Sequence, residues 1–212
     1  MMIENRPKRR TQAERRETTR KMLVEAAITC LGRVGYAAAT TQMIVEEAGV
    51  TRGALNHHFA DRNDLMLAVC ELVLDNYASE LLPIAQLDGP LETKMSAMAR
   101  TWWKVVKGGP YRAYMEVLMA TWSDAEMRAR HLGFAHRIDR TSLAIWLATF
   151  KDVGASPDLL QALRDQLIYS LRGMLLSYQF FPDDRYMDSQ LEFFSRMAVN
   201  EIRRAGQDAA AS

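Results

Sequence analysis

Cysteine is almost absent from this chain: Cys30 and Cys70 are the only two among 212 residues. Two cysteines cannot form the framework that staples small secreted domains. Each sits in an apolar stretch and reads as a small buried hydrophobe; a redox pair is the alternative. No run of 18 apolar residues exists, so no membrane-spanning helix is expected. The N-terminus is polar and basic, unlike a secretory leader, and the expected location is the cytoplasm. Histidine is scarce as well. His131 and His136 are five apart, share no helix face, and have no neighbouring Cys or Glu-x-x-His pattern, so no metal site is expected. No phosphate-binding loop, nucleophile elbow or zinc-protease motif occurs. Neither a catalytic residue nor a cofactor is therefore expected.

What is present is the composition of a folded globular protein, 49% apolar and 25% charged. A chain of this size can bury roughly two-thirds of its unfolded surface. The net charge of +1 is unevenly spread. Residues 1–62 carry eleven basic and seven acidic side chains, and residues 63–212 carry sixteen and nineteen. The first 21 residues alone hold eight basic against three acidic. A basic end on a slightly acidic body fits a polyanionic partner; a solvated tail has the same charge count.

Glycine and proline divide the chain into helical segments, and no alternating run of strand length stands out. The expected fold class is all-α. Residues 1–11 read as a disordered basic arm. Met22, Leu23, Ala26, Ala27, Cys30 and Leu31 recur at helical spacing in a segment from about Gln12 to Val34, ended by Gly35. Further helices are expected at Thr41–Glu47, from Thr51 to near His58, and from Asp61 to Leu82 before Pro83. Later ones are expected near 91–107, 111–122, 124–152, 158–181 and 185–205. The expected units are a DNA-binding part over 12–60, a helical body over 61–206, and a disordered tail over 207–212.

The informative stretch is Thr40–Phe59, TTQMIVEEAGVTRGALNHHF. Ile44, Val45 and Ala48 provide an apolar face. Gly49 can take the left-handed conformation that ends one helix sharply, Val50 plugs the corner, and Thr51 caps the next helix. Leu55 and Phe59 point inward. Arg52, Gly53, Ala54, Asn56 and His57 are left outward, as a helix-turn-helix presents them to a major groove. Glycine is a poor helix former, and at position 53 it permits close approach to a surface.

This stretch resembles the DNA-binding domain of the tetracycline-repressor (TetR) family. Thr41, Ile44, Ala48, Gly49, Val50, Thr51, Gly53, Leu55, His58 and Phe59 match that family's pattern in register, behind a helix of about 20 residues. The resemblance covers about residues 15–70. Val45 departs from the usual smaller Ala. Asn56 replaces a Tyr that commonly contacts phosphate, and Asn can instead pair with adenine. Residue chemistry suggests that Thr41, Gln42 and Thr51 bond phosphate. Arg52 is expected to read guanine or hold phosphate, and His57, His58 and Arg62 to lie along the backbone. Arg9, Arg10, Arg15 and Arg16 are expected to reach a minor groove.

The body is rich in Met and Trp. Met95, Met98, Trp102 and Trp103 fall on one segment, and Tyr114, Met115, Leu118, Met119 and Trp122 on the next. With Met174 and Tyr178 they are candidates for a pocket accepting a small, largely apolar effector; plain core packing is the alternative. The resemblance implies that the last two helices pair with their copies in a homodimer, with Leu163, Leu167, Leu171, Phe194 and Met197 as candidate contacts. The expected protein is a repressor released from its DNA operator by an effector. A constitutive DNA binder and, less well supported, a helical-bundle enzyme are the alternatives.

Overall fold

The computed structural model describes residues 11–210, with side chains as far as Gln207. The described residues form nine helices joined by short turns. Helix α1 spans Gln12–Ala38 and opens on a capping box. The Thr11 hydroxyl accepts the Glu14 N–H at 3.2 Å, and the Glu14 carboxylate accepts the Thr11 N–H at 2.7 Å, so two orphan donors are satisfied reciprocally. Gly35 breaks α1 but does not end it. Its φ of 74° and ψ of 173° interrupt the helix, in a region open essentially to glycine alone.

Helices α2 (Thr41–Ala48) and α3 (Arg52–His58) follow, then α4 (Arg62–Ala85). α4 continues through Pro83, where a stop was expected. The proline forfeits one hydrogen bond, to the Ser79 carbonyl; both residues are exposed and less than a turn remains, so water can serve the freed group. Helices α5 (Leu91–Lys107), α6 (Gly109–Ala120), α7 (Ala125–Thr149), α8 (Pro157–Tyr178) and α9 (Asp184–Ala210) complete the fold. α6 begins two residues before its expected start because Pro110 sits in the first turn, where its missing N–H costs nothing. α9 runs on to Ala210, where a disordered tail was expected from 207. The expected helices 124–152 and 158–181 are each three residues shorter at their C-termini.

α1 packs on α2, α3, α4 and α6, and α4 packs in turn on α5, α6 and α7. The buried apolar side chains form one continuous cluster from Leu23 to Ile202. No gap in the core marks the division expected at residue 60; α4 belongs to both parts. Cys30 and Cys70 are free and buried in this core. Burial raises both thiols, Cys70 to about 12, so they pack as hydrophobes and do not ionise near neutrality.

Candidate DNA-binding surface and interior cavity

The corner between α2 and α3 is built from local signals. The Thr40 hydroxyl, and not that of Thr41, caps α2 by accepting the Met43 N–H at 3.2 Å. Gly49 takes φ 64°, ψ 31°, and the Val50 N–H reaches back to the Val45 carbonyl at 3.0 Å. This is a Schellman-type stop. The Thr51 hydroxyl then accepts the Ala54 N–H at 3.2 Å and starts α3. Leu55 and Phe59 are buried beneath it. The exposed face carries Arg52, Gly53, Asn56 and His57, with Ala54 and His58 half-buried at its edge.

A Cβ added at Gly53 would meet only the Thr51 hydroxyl, at 3.7 Å. Nothing inside the protein requires glycine there, although alanine would suit the helix better by about 1 kcal/mol.

Arg15 and Arg16 lie exposed on the first turns of α1. Arg20, one turn on, places its guanidinium 5.3 Å from the centre of the Phe59 ring. The His58 ring is held below the usual histidine range, first by burial and then by Arg16, His57 and Arg20. Arg20 therefore belongs to the same cationic patch as Arg16 and α3. It was missed in the sequence, although its i, i+4 spacing from Arg16 puts both on one helix face.

Gln42 is exposed and spends its amide on Glu46 at 2.6 Å, and Thr41 is half-buried. Arg62 is a correction. Its guanidinium donates to the Ala39 carbonyl at 3.2 Å and to the Tyr36 carbonyl, and lies 4.1 Å from the centre of the Tyr36 ring. It fastens the link between α1 and α2 and does not face outward. Arg9 and Arg10 lie outside the described residues.

Two connections tie this surface to the body. At the Gly35 break, the Tyr36 N–H is freed from the helix and donates to Glu116 Oε2 on α6 at 3.0 Å. At the start of α4, Arg130 of α7 contacts Asp61 at 2.8 Å and Asp64 at 3.3 Å. Asp61 is also the α4 N-cap. Its carboxyl is held below the usual range mainly by accepting the Asp64 N–H, with Arg130 adding to it against the cost of desolvation.

The body holds a cavity of about 260 Å³ between α4, α5, α6, α7 and α8, open to solvent beside the exposed Asp139 and Tyr169. Tyr77, Trp102, Tyr114, Leu118 and Ile168 contribute apolar walls, while His131, Asp139, Arg164 and Arg172 bring charge or polarity. Tyr114 stacks on His131 at 5.8 Å between ring centres. Arg164, only 1% exposed, is paired with Asp139 at 2.7 Å and Asp165 at 2.8 Å. The Tyr77 hydroxyl, Trp102 Nε1 and His131 Nε2 are buried and make no hydrogen bond among the described residues; such groups cost free energy unless a partner is supplied. A depression of about 330 Å³ between α5 and α9 is lined by Glu92, Glu192, Arg196 and Arg203. The exposed Arg203–Glu92 ion pair belongs to it, which marks it as a surface groove.

Of the side chains expected to form a pocket, only Trp102, Tyr114 and Leu118 line this cavity. Met95 and Met98 are fully buried in the core, and Met115 and Met174 pack against it. Trp103 is turned to Tyr178, edge-on at 5.6 Å. Met119 and Trp122 are on the surface, 42% and 75% exposed. The misplacement has a simple cause: helical spacing identifies a face but not which neighbour covers it. The polar lining was missed because its members lie on different helices, far apart in sequence.

The expected dimer contacts need the same correction. Leu163, Leu167, Leu171 and Phe194 are buried within the chain, and Met197 packs on its core. The exposed apolar side chains of this region are Tyr169, Leu176, Phe180, Phe181, Tyr186 and Phe193.

Residues 23–69 match the family described as bacterial regulatory proteins, tetR family. The HTH-type transcriptional regulator CymR of Pseudomonas putida is 26% identical over 79% of this chain and 83% of its own. The HTH-type transcriptional repressor AcnR of Corynebacterium glutamicum is 39% identical, but over 24% of this chain and 27% of its own. A TetR-family transcriptional regulator from Streptomyces coelicolor shares the fold, with a TM-score of 0.69 over 88% of this chain and 96% of that one at 17% identity.

Proposed function

We propose that this chain, whose residues 23–69 match the tetR family of bacterial regulatory proteins, is a homodimeric repressor released from its operator by a small molecule held in the 260 Å³ cavity. Residues 12–60 are the reading unit, and the helices from α4 onward form the sensing and pairing unit. Arg52, Asn56 and His57 read or grip the major groove, and Gly53 lets α3 come close. Thr41, Gln42, Thr51, Ala54 and His58 border the groove, and Arg15, Arg16 and Arg20 approach the flanking backbone. The free surface at Gly53 supports this reading, since the fold itself makes no use of the glycine.

The observation that carries the switch is the pair of shared helices. α6 lines the cavity with Tyr111, Tyr114 and Leu118, and its Glu116 also holds the Tyr36 N–H. α7 lines it with His131, and the adjacent Arg130 grips the start of α4. A ligand that displaces either helix acts on the supports of the reading unit. Two reading heads about 34–36 Å apart match successive major grooves, and a ligand that favours another spacing weakens binding. Moving the population from 1:99 to 99:1 takes about 5.5 kcal/mol of differential affinity.

A second copy is the occupant proposed for the exposed apolar face of α8, the following turn and α9, centred on Leu176 and Phe180. Sedimentation should give a dimer at micromolar concentration, broken by Leu176→Glu with Phe180→Glu; a monomeric wild-type mass overturns the dimer. For the switch, an operator is selected from random DNA, and small compounds are screened for its release. Ala135→Trp, which fills the cavity from α7, should abolish release while operator binding survives. Release that persists in this variant, or no release by any compound, overturns the switch.

A further inference from the structure

Charges inside the cavity are not evenly matched. Arg164 is held by two carboxylates, Asp139 and Asp165, and by the Ser142 hydroxyl at 2.6 Å. Arg172, on the same helix and lining the same cavity, has no carboxylate partner among the described residues. Its Nε donates to the Tyr111 hydroxyl at 3.2 Å, and that is its one hydrogen bond among them. Nearby, His131 is buried with its Nε2 unpartnered. One end of the cavity thus offers a permanent cation and an imidazole nitrogen without a partner among the described residues, and the other an Arg164 whose charge is more than met by two carboxylates.

We propose that the effector is a small carboxylate with an apolar, ring-sized body, its carboxylate seated between Arg172 and His131. This deepens the repressor reading and rests on it. A planar guanidinium presents donors in the fork that suits a carboxylate. The volume exceeds that of an engineered cavity known to hold benzene, roughly 150 Å³, so a ring with a short substituent fits. Burial, and then Arg172 itself, keep His131 below its usual range. In its neutral form the ring can give one N–H to a carboxylate oxygen and leaves Arg172 as the unpaired charge. The Tyr114 ring stacked on His131 continues the apolar wall toward Trp102.

The experiment compares matched acids and amides: benzoate with benzamide, cyclohexanecarboxylate with its carboxamide, and hexanoate with hexanamide. Binding is read by quenching of tryptophan fluorescence in the full-length protein, and operator release by anisotropy of labelled DNA. At least one acid should bind roughly tenfold or more tightly than its amide, the size expected of a charge-assisted hydrogen bond. Arg172→Gln should erase that preference and Arg172→Lys should restore part of it, with thermal melts establishing that both variants fold. Amides that bind and release DNA as well as their acids overturn the carboxylate while leaving the switch intact. Acids that bind through Arg172 without releasing DNA uphold the carboxylate site and overturn the switch. No binding by any of the six, or a preference for acids unchanged in Arg172→Gln, overturns the proposal.

Discussion

The two working regions of this molecule keep their chemistry in opposite places. The α2–α3 corner carries its polar groups outside, on a helix of seven residues, above a base of buried Ile44, Leu55 and Phe59. The body carries polar groups inside, where buried Arg164, His131 and Ser142 line a cavity together with Tyr77, Trp102 and Tyr114. A surface that meets a long polyanion must stay exposed, and it loses little stability when altered. A pocket for a small molecule must be enclosed, and its polar groups stand in the core that holds the fold together. Binding and stability should therefore separate in the first region and coincide in the second.

The sharpest test of that contrast pairs Trp102→Ala with Arg52→Ala. Trp102 is buried against Tyr77 and Trp146, with ring centres 5.7 Å away in each case. Its removal should cost about 3–5 kcal/mol of unfolding free energy, measured by urea denaturation. Arg52→Ala should stay within about 0.5 kcal/mol of the wild type while weakening operator binding. Equal stability losses in the two variants would break the contrast.

Gly35→Ala probes the junction of the two regions. Alanine must adopt φ near 74°, and its Cβ would lie 3.1 Å from Glu116 Oε2. A cost of about 1–3 kcal/mol is expected, together with altered operator binding because the Tyr36–Glu116 contact is disturbed. A change in stability with unchanged operator binding would show that the junction only holds the fold.

Asn56→Ala sharpens the head alone. If Asn56 pairs with adenine, the preference at one base pair should relax by about 1–3 kcal/mol, read by binding to an operator library. A uniform loss across all sequences would assign Asn56 to the backbone.

Acid sensitivity gives the smallest effect. The folded state depresses the His131 pKa, whereas the unfolded chain takes up that proton near pH 6.5. This contribution to stability is fully present above the unfolded value and is lost as the pH falls through the folded one. Melting temperatures between pH 8 and pH 5 should fall further in the wild type than in His131→Phe. Parallel curves would remove His131 from the acid response.

The head was legible because its determinants are close in sequence. Thr51, Gly49 and the run from Ile44 to Phe59 set caps, turn and buried side within twenty residues, and chain geometry does the rest. Arg20 escaped notice although its i, i+4 spacing from Arg16 set it apart from Lys21, which pairs instead with Glu25 at 3.7 Å. Arg62 was read as outward because a charge at a helix start ordinarily is; the carbonyls of Tyr36 and Ala39 that claim it lie 26 and 23 residues away.

The sequence by itself determined the all-α class, the helix-turn-helix with its outward residues, and most helix boundaries to within a few residues. These follow from periodicity, capping and glycine conformation, which act over one or two turns. Tertiary packing alone decided that Met119 and Trp122 face solvent, that Leu167 and Leu171 belong to the chain's own core, and that Arg172 lines the cavity with His131 and has no carboxylate partner among the described residues. A helix offers several faces that can bury apolar groups. Which of them meets a neighbour, a cavity or water depends on how five helices from distant parts of the chain come together.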